Sequence, residues 1–130
     1  MIVPWLMYAD AGGAIAFLCR AFGFEERARY AGPDGKVLHA ELAYREASVW
    51  LASPTPGSGF GDSPLNLPTV HGQTVCFVVD VDAHAAHARA KGATIVAEPL
   101  DEHGMRFYRA LDTEGHRWIF ARMLGGDGPR

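Results

Sequence analysis

The second half of this chain repeats the first, and nothing else in the sequence constrains the fold as strongly. Gly23 and Gly92 lie 69 residues apart (92 − 23). The same offset places Arg20 on Arg89, Ala21 on Ala90, Ala14 on Ala83 and the turn glycine Gly35 on Gly104. Coincident small residues, helix ends and turns mark a duplicated structural unit. Such a unit cannot bury its apolar face alone, so the two copies are expected to pack as one domain.

Each copy reads as β-α-β-β-β. Ile2 to Tyr8 is a strand-like run stopped by Asp10 and Gly12-Gly13, and Ala14, Ile15, Phe17, Leu18, Ala21 and Phe22 recur at helical spacing. Gly23 ends that helix. Phe24 to Tyr30, Val37 to Tyr44 and Ala47 to Ala52 read as strands, with a turn at Gly32-Pro33-Asp34-Gly35. In the second copy Thr74 to Val79 is a strand, and Asp82 is expected to cap a helix that runs to Lys91. Thr94 to Ala97, Met105 to Leu111 and His116 to Met123 complete the unit. The first module is therefore 1–53 and the second 72–124. Between them lies a Pro/Gly-rich linker loop, 54–71, and a flexible tail, 125–130, follows. The fold class is α+β: two βαβββ modules forming a curved, half-open barrel sheet with helices outside and a concave face that can hold a small molecule.

In the last strand, Trp118 and Phe120 share one face and Arg117 and Ile119 the other. The aromatic pair is expected in the helix-backed core. The chain has 130 residues and a net charge of −3, enough for a real core and without the basic clusters that nucleic acid or an anionic membrane demands. Cys19 and Cys76 show no paired spacing and read as core thiols. No basic N-terminus precedes an apolar run, and no apolar run reaches ~18 residues. A cytoplasmic protein is expected.

Several short motifs, in order, carry a resemblance. They are Val3-Pro4-Trp5-Leu6-Met7-Tyr8-Ala9-Asp10 leading to Ala21-Phe22-Gly23-Phe24, His39-Ala40-Glu41-Leu42, Val79-Asp80-Val81-Asp82-Ala83-His84, Lys91-Gly92-Ala93, and Asp112 to Phe120. With these the chain resembles the vicinal oxygen chelate (glyoxalase, bleomycin resistance protein, dioxygenase) superfamily, and within it the PhnB-like subgroup. The resemblance implies paired βαβββ modules and a homodimer with pockets between modules. It also implies, in the metal-dependent members, one ligand on the first and one on the last strand of each module. Those places fall here on Val3, Trp50, Gln73 or Thr74, and Ile119. Valine, tryptophan and isoleucine offer a divalent metal no ligand, so the resemblance gives no metal site at the usual position.

By strand alternation the same face is expected to carry Trp5, Met7, His39, Glu41, Arg106, Tyr108 and Arg117 beside Trp50 and Gln73. Trp5, Trp50 and Tyr108 would stack a flat ligand or simply fill the barrel. His39 and Glu41, two apart on one strand, would act as acid and base, orient a bound amine, or form a structural pair at the rim. Arg106 and Arg117 would hold a carboxylate or phosphate, or pair with local acids. His84, His87 and His103 lack a completing ligand and read as solvated histidines rather than a zinc site.

The leading expectation is a protein that binds a small aromatic or cationic molecule without a cofactor, similar to the drug-sequestering bleomycin-resistance branch. The alternative is a metal-dependent lyase, isomerase or dioxygenase with a relocated divalent metal held by His39, Glu41 and Gln73. A metal-free enzyme using His39 and Glu41 is the third.

Overall fold

In a computed structural model of the chain, residues 1–59 and 61–125 are described. The tail expected at 125–130 lies outside the described residues from 126 onward. Strands β1 (Trp5–Met7), β2 (Glu25–Ala31), β3 (Val37–Tyr44) and β4 (Ala47–Ala52) form one four-stranded sheet in the order β1-β4-β3-β2. Strands β5 (Gln73–Phe77), β6 (Thr94–Glu102), β7 (Met105–Leu111) and β8 (Arg117–Met123) form a second, ordered β5-β8-β7-β6. In each sheet the first strand runs parallel to the last and the others are antiparallel. Helices α1 (Ala11–Phe17) and α2 (Val81–Ala90) make the crossovers. The expected α+β pair of βαβββ units is present, and the two sheets do not close into a barrel. No helix among the described residues is long and apolar enough to cross a membrane.

Both helices bury their apolar faces in one core that spans the modules. Phe22 sits at its centre, with ring centroids 4.8 Å from Phe120 and 5.7 Å from Trp118. Trp118 and Phe120 are buried as expected, and Ile119 between them lies on the opposite, open face.

The repeat is not a rigid offset. Asp10 caps α1 by accepting the Gly13 N–H, and Asp80, not Asp82, caps α2 in the same way through Ala83. The two caps lie 70 residues apart (80 − 10), whereas the glycines that end the helices lie 69 apart. The first helix therefore carries one extra residue. It is absorbed where α1 continues as a π-helical turn, Leu18–Phe22, closed by Gly23 at φ +87°.

A second slip falls in the last hairpin. Glu41 pairs with Trp50, but Arg109 pairs with Ile119, so β7 stands 68 residues from β3 (109 − 41) while β8 stands 69 from β4 (119 − 50). The turn Asp112–His116 is one residue longer than its counterpart, and a one-residue slip sends every side chain of a strand to the other face.

Candidate functional site

The first sheet presents an aromatic patch on its open face. Trp5 and Trp50 are register partners on parallel strands and meet edge to face at 6.2 Å. The His39 ring lies 5.5 Å from Trp5 and 4.9 Å from Trp50, both nearly perpendicular. Tyr30, opposite His39 on β2, joins at 5.9 Å. The patch forms because β2, β3, β4 and β1 are neighbours and period two sends these residues to one side. Trp5 is 42% and Tyr30 60% exposed. His39 Nε2 donates to the Glu41 carboxylate at 2.8 Å, which fixes the imidazole edge within the patch. Met7 follows Trp5 on this face, but it is buried, and the linker passes it closely at Gly61.

The second sheet's open face has a different chemistry. A cavity of about 400 Å³ is lined by Val75, Leu100, Met105, Phe107, Arg109 and Ile119 among others, all from the second module. A smaller one, about 290 Å³, is lined by Val70, His71, Gly72, Gln73, Arg109 and Arg117. Gln73 and Arg117 are thus brought together as direct partners across the β5–β8 ladder. His71 joins them from the segment before β5.

Arg106 and Tyr108 are not on this face. The extra residue in the Asp112–His116 turn rotates β7, so Tyr108 is fully buried against α2 and Phe107 and Arg109 take the open side. The Tyr108 hydroxyl donates to His84 Nδ1 at 2.6 Å, and burial pushes its pKa well up. Arg106 grips Asp82 through two nitrogens, at 2.7 and 2.8 Å, and Asp101 at 2.9 Å. Those bonds hold the Asp82 carboxyl below its usual range. Asp82, expected as the helix cap, instead ties α2 to β7.

His84 is half-buried rather than solvated, while His87 and His103 are exposed as expected. The last turn of a helix leaves carbonyls with no partner inside the helix. His84 Nε2 donates to Phe22 O at 2.8 Å, and His87 Nε2 donates to Arg20 O at 3.0 Å. His84 is neutral in this arrangement, accepting from Tyr108 at one nitrogen and donating at the other. Burial lowers its pKa, with the carbonyl of Phe22 acting in the opposite direction.

Strand alternation did not reveal the acidic turn as a joint between modules. Asp112 Oδ2 accepts from the Tyr8 hydroxyl at 2.5 Å and from Trp118 Nε1 at 2.9 Å, while Oδ1 accepts the N–H groups of Glu114 and His116. Burial, then the Asp112 charge, raises the Tyr8 pKa. Glu114 accepts the Ala9 and Asp10 N–H groups at 2.6 and 2.8 Å and the Ser63 hydroxyl. His116 Nε2 donates to Met7 O at 2.9 Å. A buried polar cluster in an Asp-Thr-Glu-Gly-His turn was the available signal, since such residues at a turn also serve only as turn formers.

The register also shows which residue of the second module matches Val3 of the first. Val75 faces Ile119 as Trp5 faces Trp50, so Val3 corresponds to Gln73, not to Thr74. Three of the four places are Val3, Trp50 and Ile119, whose side chains donate nothing to a divalent cation. His39 and Glu41 bond each other on the first sheet, and the cavities that Gln73 lines contain neither. Among the described residues no three His, Cys, Asp or Glu side chains converge as a metal site. The residues do not fit the metal.

The family model for the glyoxalase/bleomycin resistance protein/dioxygenase superfamily matches residues 3–120. An uncharacterized protein of Mycobacterium bovis is 36% identical over 118 residues, which is 88% of this chain and 78% of that protein. Among solved structures, TioX from Micromonospora sp. ML1 is 29% identical with a TM-score of 0.73, covering 100% of this chain and 99% of its own. A glyoxalase/bleomycin resistance protein/dioxygenase from Nocardioides shares the fold at a TM-score of 0.68 and 16% identity, over 98% of this chain and 85% of its own.

Proposed function

The chain belongs to the glyoxalase/bleomycin resistance protein/dioxygenase superfamily, and we propose that within it the protein binds a small aromatic or cationic molecule without the family's metal. The observation that carries this reading is the Trp5–Trp50–His39–Tyr30 patch, with an indole standing where metal-dependent relatives place a ligand. A cluster of partly exposed aromatic rings suits stacking of a flat guest, and the Glu41 carboxylate beside them favours positive charge on it. Binding is then the endpoint, as in drug sequestration, and the chain groups with the PhnB-like, bleomycin-resistance-type proteins that its motifs resemble. The binding form is a homodimer whose pockets lie between modules.

Calorimetric titration with N-methylquinolinium, a planar aromatic cation, tests the reading. Saturable binding is expected, with Trp5→Ala and Trp50→Ala each weakening it about three- to tenfold, the worth of one aromatic contact of ~0.5–1.5 kcal/mol. Protein purified without added metal should carry far less than one divalent ion per chain by elemental analysis. Stoichiometric metal that is lost in His39→Ala, Glu41→Ala or Gln73→Ala would replace this reading with the relocated-metal enzyme.

A further inference from the structure

We propose that the open face of the second sheet carries an anion-recognising subsite, formed by Arg109, Arg117, Gln73 and His71, for the carboxylate of a small organic acid with an apolar body. Arg109 pairs with Ile119 and Arg117 with Leu111, so the two guanidiniums are diagonal neighbours on one face. Both line the 290 Å³ cavity with Gln73 and His71, and no Asp or Glu lines it. Among the described residues neither arginine has an ion pair or a hydrogen bond, whereas Arg27, Arg29, Arg89 and Arg106 each hold a carboxylate. Arg109 Nε is buried with no acceptor. Buried guanidinium N–H groups are normally satisfied, so an unpaired one at a cavity wall points to an acceptor supplied from outside.

Two guanidiniums beside an amide suit a carboxylate, which each guanidinium can bind bidentately. The apolar half of the ligand follows from Arg109 lining both cavities. Beyond it the 400 Å³ cavity continues along Val75, Leu100, Phe107 and Ile119, and its one acid, Glu102, turns to His103 at 3.3 Å. Glu102 faces Met105, four residues along β7 from Arg109 and so about 13 Å away. A ligand with its carboxylate at the arginines therefore lays hydrocarbon on hydrocarbon. The subsite goes beyond the stacking proposed for the first sheet and does not depend on it.

The full chain is titrated calorimetrically with 2-naphthoate, with its neutral analogue 2-naphthalenemethanol and with inorganic phosphate. Naphthoate is expected to bind about tenfold or more tighter than the alcohol, and tighter than phosphate. Arg117→Gln, on the exposed end of β8, should bring the acid-to-alcohol preference below about threefold, and so should Arg109→Met, checked for an unchanged unfolding midpoint. The Trp5→Ala/Trp50→Ala double variant should keep the preference, which separates this site from the stacking reading. Equal affinity for acid and alcohol, a preference that survives both arginine variants, or phosphate binding as tightly as naphthoate would each overturn the proposal.

Discussion

His84 shows how one side chain joins the two modules chemically. Its ring lies 4.3 Å from Phe120 and 6.4 Å from Phe22, and its nitrogens are used by Phe22 O and the Tyr108 hydroxyl. Only neutral imidazole can both donate to the carbonyl and accept from the hydroxyl. Because the folded pKa lies below the ordinary 6.5, the unfolded chain takes up the proton first as pH falls. The contribution of His84 is then fully present above about pH 6.5 and is lost as pH falls toward the folded value. Urea unfolding at pH 7.5 and 5.5 should show stability dropping at the lower pH, and His84→Gln should show a smaller drop. An equal drop in the two proteins would remove His84 from the account.

Among the elements, the Pro/Gly-rich linker is tied to the second module at Ser63. Ser63 is fully buried, bonds Glu114 and accepts the Leu65 N–H at 3.2 Å, and a 3-10 turn, Pro64–Asn66, follows it. One hydroxyl thus holds a strap of residues across the β1–α1 connection. Ser63→Ala leaves the buried Glu114 oxygen one donor short, at a cost of about 1–3 kcal/mol. Limited proteolysis within 54–71 should quicken severalfold in the variant, with cleavage elsewhere unchanged. Uniformly faster cleavage along the chain would instead indicate global destabilisation.

At the scale of the whole molecule, the acidic turn of the second module fastens the first. Tyr8, Ala9, Asp10 and Met7 all bond residues of 112–116, so strand, crossover and turn from opposite ends of the chain meet in one polar knot. The pseudo-equivalent turn of the first module, Tyr44–Ala47, instead borders an open cavity of about 640 Å³ against Val75–Val79. Asp112→Ala would strip acceptors from a buried hydroxyl, an indole N–H and two backbone N–H groups. A loss of about 3–5 kcal/mol is expected in chemical denaturation, against about 1–3 kcal/mol for Tyr8→Phe, which removes one donor and leaves the carboxylate its other three. The unfolding should stay a single transition, because both modules share one core.

The duplicated βαβββ unit, the glycines that close its helices, the core role of Trp118 and Phe120 and the poverty of metal ligands at Val3, Trp50 and Ile119 were legible in the sequence, whereas the cap of α2 was not. Each rests on local periodicity, turn chemistry or the donor set of a side chain, and these are properties of short segments. Trp5, Trp50, His39 and Glu41 could be placed together because β1, β3 and β4 keep a simple alternation. Tertiary structure decided what depends on single-residue slips. The extra residue in the first helix hides in a π-turn, and His84 and His87 reach the carbonyls at that helix end. The extra residue in the Asp112–His116 turn sends Tyr108 and Arg106 to the helix side and turns Arg109 outward. A constant offset cannot register either slip, because the face of a strand follows the parity of its register, and that parity is set by which residues meet across the sheet.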